Sequence, residues 1–221
     1  MQFNNLSTID GIAESSFDAE DVSDLSKYFP RLGGCRWSYV ISAKPKKAST
    51  SDEVTSKADR LVLKTIRSNS DLIITTGKTA VAEQLNASSY APMMVLTNNS
   101  AIDFPALRIP SQHQILLSIE NGRFQNPNVI CLGSTSDTLT NWLQNKTHDY
   151  ASKVYEGGFE TGIDLVKAGF INQICLSVTS SESFTESLDT AHEFLSRTAR
   201  NLLLVQSLEC ENTWFFTFQV N

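Results

Sequence analysis

Residues 154–169, VYEGGFETGIDLVKAG, carry the residue types best suited to chemistry. An apolar run of β-formers ends, two glycines follow, and helical periodicity begins. A helix N-terminus presents unpaired backbone N–H groups, and glycine lets an anion approach the main chain closely. Gly157 and Gly158 therefore suit the diphosphate of a dinucleotide. Glycine doublets also punctuate ordinary strand-to-helix turns, so the pattern alone leaves both readings open. Glu160, in the first turn, suits the helix dipole but repels an incoming phosphate.

A second turn, Thr75-Thr76-Gly77-Lys78-Thr79, also follows an apolar run. It is not a P-loop, because that motif needs a glycine five places before Gly77 and Leu72 stands there. Lys78 can still help to bind a phosphate. Lys44, Lys46 and Lys47 form a small basic loop, either a solvated surface or an anion-steering one. Asp137, after Gly133-Ser134-Thr135-Ser136, fits a helix cap. His113, His148 and His192 are isolated, and Cys35, Cys131, Cys175 and Cys210 are far apart with no CxxC. These spacings exclude the common zinc sites, no metal is expected, and buried reduced thiols fit a cytoplasmic protein.

Those residues need a scaffold, and the chain is long enough to build one. It has 221 residues, 41% apolar and 19% charged, which is the balance of a globular domain. The net charge of -6 argues against a broad nucleic-acid surface. The N-terminus lacks a basic start and an apolar stretch, so no signal peptide is expected, and no apolar run approaches the ~20 residues of a membrane span. Asn-x-Ser/Thr triplets at Asn5, Asn86, Asn98 and Asn145 then carry no glycosylation meaning.

Residues 1–33 are acidic and read as a solvated arm, with a short helix over 19–27 packed by Val22 and Leu25. Gly33-Gly34 turns into the body, residues 34–221. Strands are predicted at 37–43, 72–74, 93–97, 115–119, 129–132, 153–155 and 171–178. Helices are predicted at 52–68 with Ser51 as cap, at 78–85, at 136–145 with Leu139 and Trp142 facing the core, and at 159–168 with Gly169 as stop. Residues 184–200 are ambiguous, and 202–208 with 214–220 make a terminal hairpin. The result is a three-layer α/β/α fold with a mixed central sheet.

Glu156-Gly157-Gly158, the helix, then Ala168-Gly169-Phe170-Ile171-Asn172 resemble the reductase domain of the bifunctional riboflavin-biosynthesis deaminase/reductase. EGGFETGIDLVKAGFINQ aligns without a gap to that family's run of the type EGGPTLAGALLRAGLVDE. CRWSYVISA, the segment from Ser49 to Glu83 and the closing hairpin extend the similarity over roughly 34–221, most closely to a stand-alone actinobacterial pyrimidine-reductase-like branch. The resemblance implies a dihydrofolate-reductase-like fold, NADPH or NADH as cofactor, a small pyrimidine-like substrate and a homodimer. It implies a cofactor site at Thr76, Gly77 and Thr79, at Gly133 and Ser134, and at Glu156, Gly157, Gly158 and Phe159. It places Ser42 and Lys44 at the substrate and makes Glu83 the carboxylate that serves the substrate or the proton transfer.

Three departures support a competing expectation of a catalytically silent nucleotide-binding or scaffold relative. Ser42-Ala43-Lys44-Pro45 stands where the family has Ser-Leu-Asp-Gly. Asn98 and Asn99 replace an arginine suited to a 2′-phosphate. Phe159 and Glu160 replace small residues after the glycines.

Overall fold

The computed structural model describes residues 1–6, 15–44, 55–83, 88–97, 114–118, 129–131, 136–180 and 183–221. The elements run β1 (Gln2–Asn5), β2 (Ser15–Asp18), α1 (Val22–Leu25), β3 (Gly34–Ser42), α2 (Lys57–Ser68), β4 (Leu72–Thr76), α3 (Gly77–Ala82) and β5 (Met93–Leu96). They continue through β6 (Gln114–Ser118), β7 (Val129–Cys131), α4 (Ser136–Lys146), β8 (Ser152–Tyr155), α5 (Phe159–Lys167), β9 (Gln173–Thr179), α6 (Phe184–Leu195), β10 (Leu202–Cys210) and β11 (Thr213–Val220).

Among the described residues the strands join one eleven-stranded sheet in the order β2-β1-β10-β11-β9-β3-β8-β4-β5-β6-β7. From β9 to β7 every neighbouring pair is parallel, and from β9 to β2 every pair is antiparallel. The parallel part needs helices on both faces. Leu139 and Leu143 of α4, Ile163, Leu165 and Val166 of α5, and Ala191 and Leu195 of α6 close one core, here called the rear core. Leu25 of α1, Ala58, Leu61, Val62 and Ile66 of α2, and Ala80 of α3 close the other, the front core. Strand β9 is buried along its whole length, as a strand covered on both faces should be. The fold class is therefore the mixed three-layer α/β/α arrangement that the periodicity implies.

Two segments differ from the sequence expectation. Residues expected as a solvated arm instead widen the sheet: β1 pairs with β10, β2 pairs with β1, and Phe3 is fully buried. Phe17 stacks between Phe3 and Tyr28, with ring centroids 5.6 and 4.4 Å away. The acidic residues are used locally. Asp21 accepts from the Ser23 amide and Asp24 from the Asp21 amide, a reciprocal cap on the short α1. Helix α2 starts at Lys57 rather than near 52, because the Ser56 hydroxyl caps it by accepting from the Asp59 amide at 3.0 Å. Ser51, the expected cap, lies outside the described residues. The ambiguous stretch after β9 forms α6, capped by Ser183.

Cys35, Cys175 and Cys210 are buried free thiols, and burial pushes that of Cys35 up to about 12. Among the described residues no helix is long and apolar enough to cross a membrane, and no cluster of His, Cys, Asp or Glu could hold a metal ion.

Candidate active site

Open parallel sheets bind ligands beyond the carboxyl ends of their strands, where successive connections leave in opposite directions. Here that point lies between β8 and β4. The connection from β8 passes through α5 on the rear face to β9, and that from β4 passes through α3 on the front face to β5. The Gly157-Gly158 turn and the Thr76–Thr79 turn therefore flank one crevice.

The crevice is deepened by the shortness of β8. Strand β3 pairs with β8 only from Gly34 to Trp37, whereas its pairing with β9 continues to Ser42. Among the described residues, the β4-facing edge of β3 is thus unpaired from Ser38 to Ser42. Those five residues are half-buried, although β3 lies in the middle of the sheet. A slot results between the carboxyl-terminal halves of β3 and β4, with the end of β8 as its floor.

The glycines have different reasons to be glycine. A side-chain carbon on Gly157 would lie 2.3 Å from the Tyr155 hydroxyl, whose ring folds back beneath the turn and whose O–H donates to the Gly158 carbonyl at 3.0 Å. Gly157 is therefore fixed by packing. A side-chain carbon on Gly158 would meet nothing within 4 Å. Gly158 is the N-cap of α5 and offers no side-chain cap to the first amides of that helix.

Phe159 does not fill that space. Its ring turns to the rear face, among Trp37, Tyr39 and Phe194, with centroids 6.0, 6.4 and 4.4 Å away. What it contributes to the turn is its backbone amide. Glu160 is held by Arg197 through two hydrogen bonds of 2.9 and 2.8 Å, and Arg197 also lies 4.8 Å over the Phe159 ring. That pairing lowers the Glu160 carboxyl from its ordinary range. The acidic neighbour of the turn thus carries its own counter-charge, which the sequence did not reveal because Arg197 is 37 residues away.

On the front face, Glu156 is gripped by Arg67 of α2. Arg67 Nε donates at 2.9 and 3.1 Å and its terminal nitrogen at 2.6 Å, with side chains only 22% and 8% exposed. Burial works against the Arg67 charge, but the Glu156 carboxylate more than offsets it and holds the guanidinium proton more firmly than usual. Arg67 was missed in the sequence, where it reads as one more charge near the end of an amphipathic helix.

Thr76 caps α3 by accepting from the Thr79 amide, and the two hydroxyls lie 2.9 Å apart. Gly77 opens that helix and is buried, and Glu83 follows it as C-cap, its amide donating to Thr79. Ser42 ends β3 with its hydroxyl buried and, among the described residues, without a hydrogen-bond partner. Lys44 is exposed just beyond it. The structure thus brings together Ser42, Thr76, Gly77, Thr79, Glu156, Gly157, Gly158 and Phe159 around the strand ends. Gly133, Ser134, Lys46, Lys47, Asn98, Asn99 and His113 lie outside the described residues, as does the side chain of Asp137.

No family model and no curated protein matches the sequence. Solved structures do share the fold. A pyrimidine reductase-like protein from Corynebacterium diphtheriae superposes with a TM-score of 0.65 at 14% identity, covering 89% of this chain and 94% of that one. The riboflavin biosynthesis reductase Rib7 of Saccharomyces cerevisiae gives 0.61 at 10% identity, over 90% and 98%. The diaminohydroxyphosphoribosylaminopyrimidine deaminase/5-amino-6-(5-phosphoribosylamino)uracil reductase of Thermotoga maritima gives 0.63 at 13% identity, over 90% of this chain but only 60% of that one. At these identities the likeness shows the architecture, the one that the glycine-turn resemblance implied.

Proposed function

We propose that the chain is a reductase that passes hydride from NADPH or NADH to a carbonyl or imine carbon of a pyrimidine-like, ribosylamino-bearing substrate. The slot left by the early end of β8, where the turn into the uncapped α5 begins, is the observation that carries this reading. The residues suit the cofactor. Gly158 and the amides of α5 would receive the diphosphate, Thr76, Gly77 and Thr79 would bound the nicotinamide end, and the Ser42 hydroxyl would lie beside it. When bound, the cofactor supplies the hydride, and the protein supplies position and electrostatics. Glu83 and Lys44 would meet the substrate from the rim.

Titration of the purified protein with NADPH and NADH, followed by cofactor fluorescence and thermal shift, tests this reading. Saturable binding of either supports it, and silence with both removes it. Lys44, a cation where the resembled family has an aspartate, favours a second reading in which the nucleotide binds and no turnover follows. Cofactor binding without oxidation in the presence of 5-amino-6-(5-phosphoribosylamino)uracil would select that reading. The resemblance also supports a homodimer of units spanning 34–221, to be checked by light scattering. The buried free thiols suit a reducing cytoplasm.

A further inference from the structure

Helix α2 buries a second carboxylate against the front face of the sheet. Asp59 stands in its first turn and is 7% exposed. Its position, three before Val62 and seven before Ile66, lies within the apolar stripe that packs on the sheet. Two hydroxyls address the carboxyl: that of Thr55, 3.2 Å from Oδ2, and that of Ser177 on β9. Glu156 follows β8 directly, and β3 runs between β9 and β8. The two carboxyls therefore flank the front face of the same unpaired segment of β3, where Ser38, Val40 and Ser42 share the face of Cys175, Ser177 and Thr179.

Their surroundings are opposite. Arg67 neutralises Glu156 with a two-pronged ion pair. Asp59 receives hydroxyls and, among the described residues, no such cation. The charges acting on it are Arg60 of its own helix and Glu156 across the strand. β9 brings Cys175, Ser177 and Thr179 to that face, β3 brings Ser38, Val40 and Ser42 with Arg36 lower down, and β11 brings Phe215 and Thr217. Burial and the Glu156 charge raise the Asp59 carboxyl above its ordinary range, with burial the larger cause. Of the two, Asp59 is the buried carboxyl that keeps hydroxyl partners rather than a two-pronged cation, the setting in which a carboxyl can hold and release a proton.

We propose that Asp59 is the proton donor of the slot, delivering its carboxyl proton to the substrate heteroatom as the neighbouring carbon accepts hydride. This rests on the reductase reading above. The step balances. The C–H bond of the reduced nicotinamide breaks and the cofactor is oxidised, and its hydride forms a new C–H bond on the substrate carbon. The π pair moves to oxygen or nitrogen and takes the proton of Asp59, and the resulting carboxylate regains a proton from water. Ser177 and Thr55 orient the carboxyl.

The test compares the unaltered chain with Asp59→Asn and with Glu193→Gln, a control on the exposed surface of α6. Three readouts are taken: NADPH affinity by fluorescence, the infrared stretch of a protonated carboxyl at neutral pH, and NADPH oxidation with 5-amino-6-(5-phosphoribosylamino)uracil across pH. Asp59→Asn should bind NADPH like the unaltered chain and lose the carboxyl stretch. Its turnover should fall by ~10²–10⁴-fold, the usual size of general-acid catalysis, with the alkaline limb of the pH profile flattened. Glu193→Gln should keep the stretch, the turnover and that limb. Full turnover in Asp59→Asn, or no stretch that depends on Asp59, overturns the proposal while leaving cofactor binding intact. A chain that binds no NADPH overturns the reductase reading itself, and the donor role with it.

Discussion

The two faces of strand β3 have the same backbone and opposite contents. On the rear face, Trp37, Tyr39 and Ile41 point into aromatic and aliphatic packing with Phe159 and Phe194. Trp37 is fully buried and lies so close to α5 that a side-chain carbon on Gly162 would come within 2.4 Å of it. On the front face, Ser38 and Ser42 share their surface with Ser177, Thr179, Asp59 and Glu156. Most of the apolar burial that stabilises this region sits behind the strand, which leaves the front free to hold polar groups that a core would not tolerate.

The largest effect should come from the rear face. Trp37→Ala should cost about 3–5 kcal/mol by leaving a large void, read as a lowered urea midpoint. Next is Arg67→Met, which strands a buried carboxylate and should cost about 3 kcal/mol, whereas Arg67→Met with Glu156→Met should recover most of that loss. Full stability in the single variant would mean that Glu156 is solvated rather than paired.

The glycine doublet provides the sharpest division. Gly157→Ala meets the Tyr155 ring and should destabilise by about 1–3 kcal/mol. Gly158→Ala meets nothing and should change stability by less than ~1 kcal/mol. A charge-assisted hydrogen bond is worth about 1.5–3 kcal/mol, so an obstructed α5 terminus should still weaken NADPH binding by ~10–100-fold. If both variants behaved alike, the packing and binding roles assigned to the two positions would not be separable.

Asp59 should shape the pH dependence of stability. Its carboxyl is raised on folding, so between the ordinary carboxylate value and the raised one the native chain binds more protons than the unfolded chain. Its effect is therefore a loss of stability as pH rises through that interval. Asp59→Asn should gain relative stability at neutral pH over acid, checked by denaturant titration at both. The smallest change belongs to Glu160→Gln on the exposed rim. It should barely move Tm while freeing Arg197, so that NADPH binding tightens by less than ~10-fold and becomes more salt-sensitive.

Much of the scaffold was legible in the chain because its elements obey local rules. The apolar stripe of α2, the β-branched run of β4 and the hairpin at Glu211, whose φ of 52° suits a tight turn, all announce themselves. Strands β1 and β2 did not. QFNN and SSFD each offer one aromatic, and an edge strand needs no more, since half of it faces water. The glycine turn was equally plain, but its surroundings were not. The sequence shows where β8 ends, not how much farther β3 and β9 continue, and that difference in pairing makes the slot. Arg197 and Arg67 reach the site from 37 and 89 residues away, distances at which spacing carries no information. Asp59 did leave a mark, a carboxylate in an apolar stripe, and such a mismatch is a signal of function.

The brevity of β8 has a mechanical side. Among the described residues, the half of the sheet that ends in the hairpin and the half that contains β4 to β7 pair through this strand, four residues deep on one side and three on the other. So narrow a seam resists twisting poorly. A molecule lodged above it would bridge both halves and stiffen them, so amide hydrogen exchange from Ser38 to Ser42 should slow on ligation well beyond the residues that the ligand touches.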